Sequence, residues 1–526
     1  MNQAIAIFGC DADAELKRAL QELANVLQLQ PEFSPAENVR DFAATVSVQK
    51  PGEAPVALPS LLQFVSGQDA SSNVAGATIE FSGHSALPEL MRRQKIPLGK
   101  ESSWQFLDDP KFGEVVASVN GRPVWRIAKS SGGEVWSVST PSPRLSANGR
   151  LCEQLNGETF LPLLPLYLFL RNFSPESRWP APPLRACLVV DDPNLHAPTY
   201  GHIDYRALAA LAQEKHFHAA MATIPLDAWR ANAEAVSIFR ENPRTLSLLV
   251  HGNDHLRDEL ARPFNHRERN ELVMQSLQRI GSLERRTGLG VDRVMAPPHG
   301  VCAHQMLDTL RSCGYDGMTT NRWSLQRHNP AEQLPAGIGL RPADFLGGGL
   351  PVLNRFRFKS SICRGEIFMA AALRQPVIPY GHHQDFADGM ASLHETIDAV
   401  NSLGNVRWMS LREILESNFE QRVESGALHV RLFSRRIKLT PPDGITSVNI
   451  ESISPGNESA RKYEIISPNG NIPVSTGVTA TIPAGVKLEI REMPAPLPAT
   501  AVRPAYKSTV ACLRRIVSET RDRLRI

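Results

Sequence analysis

Cys187-Leu188-Val189-Val190-Asp191-Asp192 is an apolar run of strand length that ends in two adjacent carboxylates. The same pattern recurs three times downstream. Leu246-Ser247-Leu248-Leu249-Val250 leads into His251-Gly252-Asn253-Asp254-His255, Val294-Met295-Ala296 into Pro297-Pro298-His299-Gly300, and Val377-Ile378-Pro379-Tyr380 into His382-His383. Between these runs, apolar residues at helical spacing over 205–215, 268–287 and 304–313, and again over 393–403, supply the crossover connections that parallel strands need. In a barrel of parallel strands the carboxyl ends open onto one rim, so clusters far apart in sequence are expected to meet there. Residues 184–420 therefore read as an α/β domain, a distorted (β/α) barrel.

Working outward, 526 residues exceed what one hydrophobic core accommodates, so flanking domains are expected. Residues 1–175 read as an α/β accessory domain. It has a strand at Ile5-Ala6-Ile7-Phe8, a helix over 13–27, and a hairpin whose arms are 123–127 and 134–138, turning at Ser130-Ser131-Gly132-Gly133. Cys10 follows a strand but lacks the glycine-flanked turn of a nucleophile elbow. The region faintly resembles class I glutamine amidotransferase-like domains without their nucleophile motif, and no catalytic role is assigned to it. A proline-rich linker, Trp179-Pro180-Ala181-Pro182-Pro183, leads into the barrel. Residues 425–495 alternate short β-favouring runs with turns such as Pro441-Pro442-Asp443-Gly444, which predicts a small antiparallel β-sandwich. Residues 505–526 form a basic helix carrying Arg514, Arg515, Arg521, Arg523 and Arg525. It reads as a solvated surface helix, with a protein partner or an acidic surface as the alternative.

A net charge of +3 is slight for this length and leaves no nucleic-acid footprint. The seven cysteines are scattered and without C-x-x-C pairing, which argues against a disulfide framework or a thiolate zinc site. The amino terminus lacks the basic start and apolar stretch of a secretory leader, and the longest apolar segment, 161–170, is broken by Pro162 and Pro165. A soluble, cytoplasmic protein without a membrane span is expected.

His251 and His255 are four residues apart, so one tight turn can aim both imidazoles at one ion. Alone, such a pair reads first as solvated. A helix-borne metalloprotease motif would carry glutamate where this chain has Gly252. The aspartate pair adds weight, because a carboxylate at the tip of an apolar strand is costly unless it is solvated, paired or metal-bound. Asp191-Asp192-Pro193-Asn194 is also composed like a turn, and that reading stays open.

In this order, the segments resemble the motifs of the polysaccharide deacetylase family over residues 184–415: an aspartate pair, His-x-x-x-His, Arg-x-Pro-x-Gly and a late histidine. The resemblance implies that Asp192, His251 and His255 bind a divalent metal, with zinc suited to an imidazole–carboxylate set. It implies Asp191 as general base and His382 as general acid, with His383 competing for that role one position away. Backbone amides near His299 and Gly300 would serve an oxyanion, and Asp385 would fix an imidazole tautomer. Two departures stand out. Ala296 occupies the place of the motif arginine, leaving Arg293 and His299 as candidate replacements, and Pro193-Asn194 stands where most members carry glycine. The implied reaction is hydrolysis of an N-acyl, usually N-acetyl, group on an amino sugar or a related small molecule. Competing readings are a catalytically silent barrel that binds carbohydrate or assembles a complex, and a glycoside or amide hydrolase on the same barrel.

Overall fold

The structure, a computed structural model, describes residues 4–8, 13–33, 42–49, 60–65, 76–99, 106–131, 133–330, 332, 334–335, 337–453, 461–493, 513–517 and 520. Cys10 and most of the basic tail lie outside the described residues. The chain forms two compact units. One is Met1–Pro180 with Leu334–Arg341 and Ser361–Leu373; the other is Ala181–Gln333, Pro342–Ser360 and Arg374–Ile526.

The first unit is built on a nine-stranded sheet. Parallel strands Gln30–Phe33, Ala4–Phe8, Ala44–Gln49 and Leu61–Val65 join Gly133–Val138, beyond which the sheet turns antiparallel. The predicted hairpin is present, with Lys129 opposite Glu134 and Ser130 opposite Gly133. Helix Ala14–Val26 starts where the Asp13 carboxylate accepts the Leu16 N–H, and it buries Leu16, Ala19, Leu20, Leu23 and Ala24. Two segments from the later chain complete this unit: Phe368, on helix Cys363–Ala372, stacks on Phe81 with ring centres 4.7 Å apart. A single cut near residue 180 therefore does not separate the two units.

The second unit carries the candidate site. Its sheet strands in chain order are β1 (Leu188–Asp191), β2 (Ala219–Thr223), β3 (Leu246–His251), β4 (Val291–Ala296), β5 (Gly317–Thr320), β6 (Asp344–Leu346), β7 (Leu350–Asn354), β8 (Phe356–Arg357) and β9 (Pro379–His382). They lie in the order β6-β7-β5-β4-β3-β2-β1-β9-β8, parallel throughout except for β6. Strands buried on both faces explain the unbroken apolar runs in the sequence; every residue of β1 and β2 is buried. Among the described residues no pairing joins β6 to β8, so the sheet is an open curl and not a closed ring. Helices α1 (Tyr205–Glu214), α2 (Ala233–Glu241), α3 (His266–Thr287), α4 (His304–Ser312), α5 (Arg322–His328), α6 (Ala391–Asn401) and α7 (Leu411–Glu416) punctuate the strands. The boundaries of α3 have clear chemistry: Asn265 and Glu268 form a reciprocal cap at its start, and Gly288, at φ +69°, ends it.

Register places the site. Asp191 lies opposite His382, and His251 opposite Ala296, so the carboxyl ends of β1, β9, β3 and β4 share one edge.

The same unit ends in two four-stranded sheets. Phe419–Glu424, Ala427–Leu432, Ser447–Ile450 and Thr479–Thr481 form one; Arg436–Leu439, Leu488–Glu492, Lys462–Ser467 and Gly470–Ser475 form the other. Leu428, Val430, Ile437, Val448, Ile465 and Ile490 are fully buried in their shared core. The sandwich is not wholly antiparallel: Ala427–Leu432 pairs in parallel with Ser447–Ile450, because the chain visits the other sheet between them. Cys152, Cys187, Cys302, Cys313 and Cys363 are buried. Among the described residues no helix is long and apolar enough to cross a membrane.

Candidate active site

β1 ends on Asp191, and the chain leaves the sheet through Asp192 at φ +82°. A side chain on left-handed backbone costs about 1–3 kcal/mol and persists only where its surroundings fix it. β3 ends on His251, and Gly252, at φ +64°, makes the turn that follows. A Cβ there would lie 2.1 Å from Glu259 Oε1 and 2.5 Å from Pro298 Cγ, so only glycine fits. The buried Glu259 carboxylate closes the turn by accepting the N–H groups of Asn253 (2.5 Å), Asp254 (3.0 Å) and Leu256 (3.3 Å). Arg279, on α3, pairs with Asp254 at 2.7 Å. This clamp delivers His255, itself at φ +55°, back toward Asp192.

Asp192 Oδ1 lies 3.4 Å from His251 Nε2 and 3.0 Å from His255 Nε2. The three ligand atoms fall within 4.8 Å of one another. Oδ1 is buried, yet neither contact has the geometry of a hydrogen bond. His251 Nδ1 is 2.9 Å from the Ala296 carbonyl and must donate to it, which leaves the Nε2 lone pair facing the carboxylate. A buried oxygen without a hydrogen bond, facing imidazole nitrogens, suits a shared cation. The two contacts match neighbouring ligands about 2.1 Å from one ion. Burial pushes the Asp192 carboxyl up, but His251 and His255 outweigh it and hold the group well below the usual carboxylate range. For His251, burial disfavours the charged ring while Asp191 and Asp192 favour it, and the balance is upward. Proton and metal therefore compete for the same lone pair.

Asp191 has a different partner. Arg355, just past β7, forks onto it with Nη1–Oδ1 2.7 Å and Nη2–Oδ2 2.8 Å, and both side chains are buried. The guanidinium rests 4.1 Å above the Tyr380 ring. Burial raises the Asp191 pKa, whereas Arg355, His251 and His382 lower it; the net shift is downward, so the group is anionic at neutral pH. Neither sequence-level candidate for the missing cation occupies this position. Arg293 pairs with Glu284 at 2.6 Å, and His299 places its ring 5.1 Å from that of His255. Burial, then the charges of His255 and His251, lower the His299 pKa.

His382 Nε2 is 3.9 Å from Asp191 Oδ2 and the side chain is 31% exposed, which leaves it open to a ligand. The Asp385 carboxylate, expected on an imidazole, accepts the backbone N–H of His382 at 2.9 Å and pairs with Arg357. His383 is placed elsewhere. It is buried, with its ring 5.3 Å from that of Tyr200 and 5.9 Å from that of His202, and it packs so tightly on Gly201 that a Cβ there would meet its ring. The Gly300 N–H, proposed for an oxyanion, already donates to the Pro297 carbonyl at 2.9 Å.

The described part of the tail departs from a solvated helix at one residue. Residues 513–517 are helical, and Leu513, Ile516 and Val517 are exposed, but Arg515 is buried. Its partner is Asp227, a buried carboxylate that also accepts from Asn194 at 3.1 Å. A buried carboxylate needs such a cation, and helical spacing in the tail could not reveal it.

No protein-family model and no curated protein matches the sequence. Solved structures give distant likenesses, among them carbohydrate deacetylases and esterases, with an amylase, an aldolase and an ammonia lyase at similar TM-scores. A candidate polysaccharide deacetylase from Mycobacterium smegmatis aligns over 45% of this chain and 92% of its own, at 14% identity and a TM-score of 0.33. The Bc1960 peptidoglycan N-acetylglucosamine deacetylase aligns over 45% and 90%, at 13% identity and 0.27. A CE4 esterase from Streptococcus mutans aligns over 43% and 86%, at 13% identity and 0.28. With similarity this low, the chemistry rests on the site's own geometry.

Proposed function

We propose that this chain is a metal-dependent hydrolase of an N-acyl amide, acting on an N-acetylated amino sugar or a related small molecule. The observation that carries the proposal is the convergence of Asp192, His251 and His255 beside an anionic, buried Asp191 and an accessible His382. A divalent ion held by the three residues, zinc by the nature of its donors, would polarise a carbonyl and lower the pKa of a water molecule. Asp191 accepts the proton of the attacking water, and Arg355 keeps it charged and oriented. His382 donates a proton to the departing amine. The amide C–N bond breaks to give a carboxylate and a free amine, so deacylation and glycoside cleavage leave different products. The order of motifs shared with polysaccharide deacetylases supports the amino-sugar substrate. The reading as a catalytically silent barrel drew on the missing arginine at Ala296 and on the two extra domains; the cation that Arg355 brings to Asp191 from another strand end supports the enzymatic reading against the first of these.

The test is elemental analysis of the purified protein combined with product analysis on N-acetylated sugars. Asp192→Ala and His251→Ala are expected to lose metal, whereas Asp191→Asn keeps metal but loses acetate release by about 100-fold or more. Full metal content in both alanine variants would overturn the proposal. A shortened glycan without free acetate would replace it with the glycoside hydrolase.

A further inference from the structure

Asp192 presents a physical puzzle. It is a non-glycine residue at φ +82° whose side chain has to stay aligned with two histidines, and the residue after it is Pro193, which has no N–H to anchor the turn. The turn is held from outside. Asn194 donates to Asp227, Tyr205 donates to the Asn194 carbonyl at 2.6 Å, and the Asn232 N–H reaches the Leu195 carbonyl at 2.7 Å. At Asp192 itself the holder is the tail. Arg515 Nε contacts Asp227 Oδ1 and Oδ2 at 3.0 and 2.8 Å, and Nη2 reaches Asp227 Oδ2 at 2.7 Å. The same Nη2 extends to the Tyr200 hydroxyl at 3.2 Å and the Asp192 carbonyl at 3.4 Å, 323 residues away in sequence.

We propose that Arg515 makes the carboxyl-terminal segment a working part of the metal site, as a positioning residue that pins the left-handed Asp192 peptide in the orientation metal binding requires. The inference rests on the metal-site reading above. Asp227 fixes the guanidinium, and the guanidinium fixes the carbonyl of the ligand residue, so the tail acts on the ion through Asp192 and not by touching it. Fixing the orientation of a ligand residue in this way typically changes metal affinity 10–100-fold.

The experiment is a Co2+ titration of the full-length protein, followed by the ion's visible absorption, with thermal melting of each protein alongside. Arg515→Ala is expected to bind Co2+ about 10-fold or more weakly. That substitution also strands the Asp227 charge and could lower stability by that route, so the deciding protein is the double variant Asp227→Asn/Arg515→Ala, which has no buried charge to strand. A melting temperature near wild type with Co2+ affinity still reduced supports the positioning role. Recovery of affinity together with stability overturns it, as does wild-type affinity in Arg515→Ala itself. Failure of the wild-type protein to take up Co2+ overturns the metal-site reading and this inference with it.

Discussion

At the scale of single residues, the proposed chemistry makes the fork from Arg355 to Asp191 decide whether the site holds a usable base. Arg355→Ala leaves a buried carboxylate without its cation, a change expected to cost about 3–5 kcal/mol by chemical denaturation and to reduce acetate release by orders of magnitude. Adding Asp191→Asn should restore much of the stability and none of the activity, separating the burial of charge from its chemistry. Arg355→Lys keeps the charge but not the two parallel hydrogen bonds, so it should recover little. The sequence made Asp191, Asp192, His251 and His382 visible because each stands at the end of an apolar run, and His255 visible by its four-residue spacing from His251. Arg355 obeys the same rule after Leu350-Pro351-Val352-Leu353, and looking for cations as well as metal ligands at strand ends would find it. Arg515 has no comparable mark. Nothing local distinguishes it from Arg514 until Asp227, 288 positions earlier, is seen to need a partner.

At the scale of elements, the turn after β3 works because Glu259 gathers three backbone N–H groups in the space left by Gly252. Glu259→Gln sets a donor amide against those donors and should destabilise the protein by about 1–3 kcal/mol while loosening His255. Gly252→Ala is expected to be worse, since its Cβ displaces the same carboxylate and its backbone is left-handed. Denaturation curves together with Co2+ affinity check both. Four of the second unit's helices were readable within a few residues, since apolar spacing and end caps are local features: the expected 304–313 is His304–Ser312, and 268–287 is His266–Thr287, whereas α2, α5 and α7 were not expected. The pairing of strands is a non-local property. Neither the open edges at β6 and β8 nor the two late segments that belong to the first unit had a local signature.

At the scale of the second unit, the sandwich and the open sheet are joined by polar contacts as well as by packing. Arg435 donates to the Tyr315 and Arg311 carbonyls at 2.6 and 3.0 Å and pairs with Glu492, while Arg185 reaches the Asn418 side chain at 2.9 Å. Beneath this junction, Asp292 on β4 accepts the Arg412 N–H at the start of α7. Burial pushes Asp292 from its ordinary 3.8 up to about 6, with Arg412 opposing. Between those values the folded chain holds a proton that the unfolded chain has released, so raising the pH through this window weakens the fold, by up to about 3 kcal/mol. Stability measured from pH 3.8 to 6 should fall with this contribution, and Asp292→Asn should remove it.

Cys187 lies against the base of β1, fully buried, with a thiol that burial pushes well above its ordinary pKa. A thiol reagent can reach it only while that strand is peeled from the sheet, so its rate of modification clocks the detachment of the segment bearing both aspartates. If an ion ties Asp192 to His251 and His255, adding Zn2+ should slow this clock. Peptide mapping separates the Cys187 label from those of the other buried thiols, giving a readout of occupancy that needs no substrate.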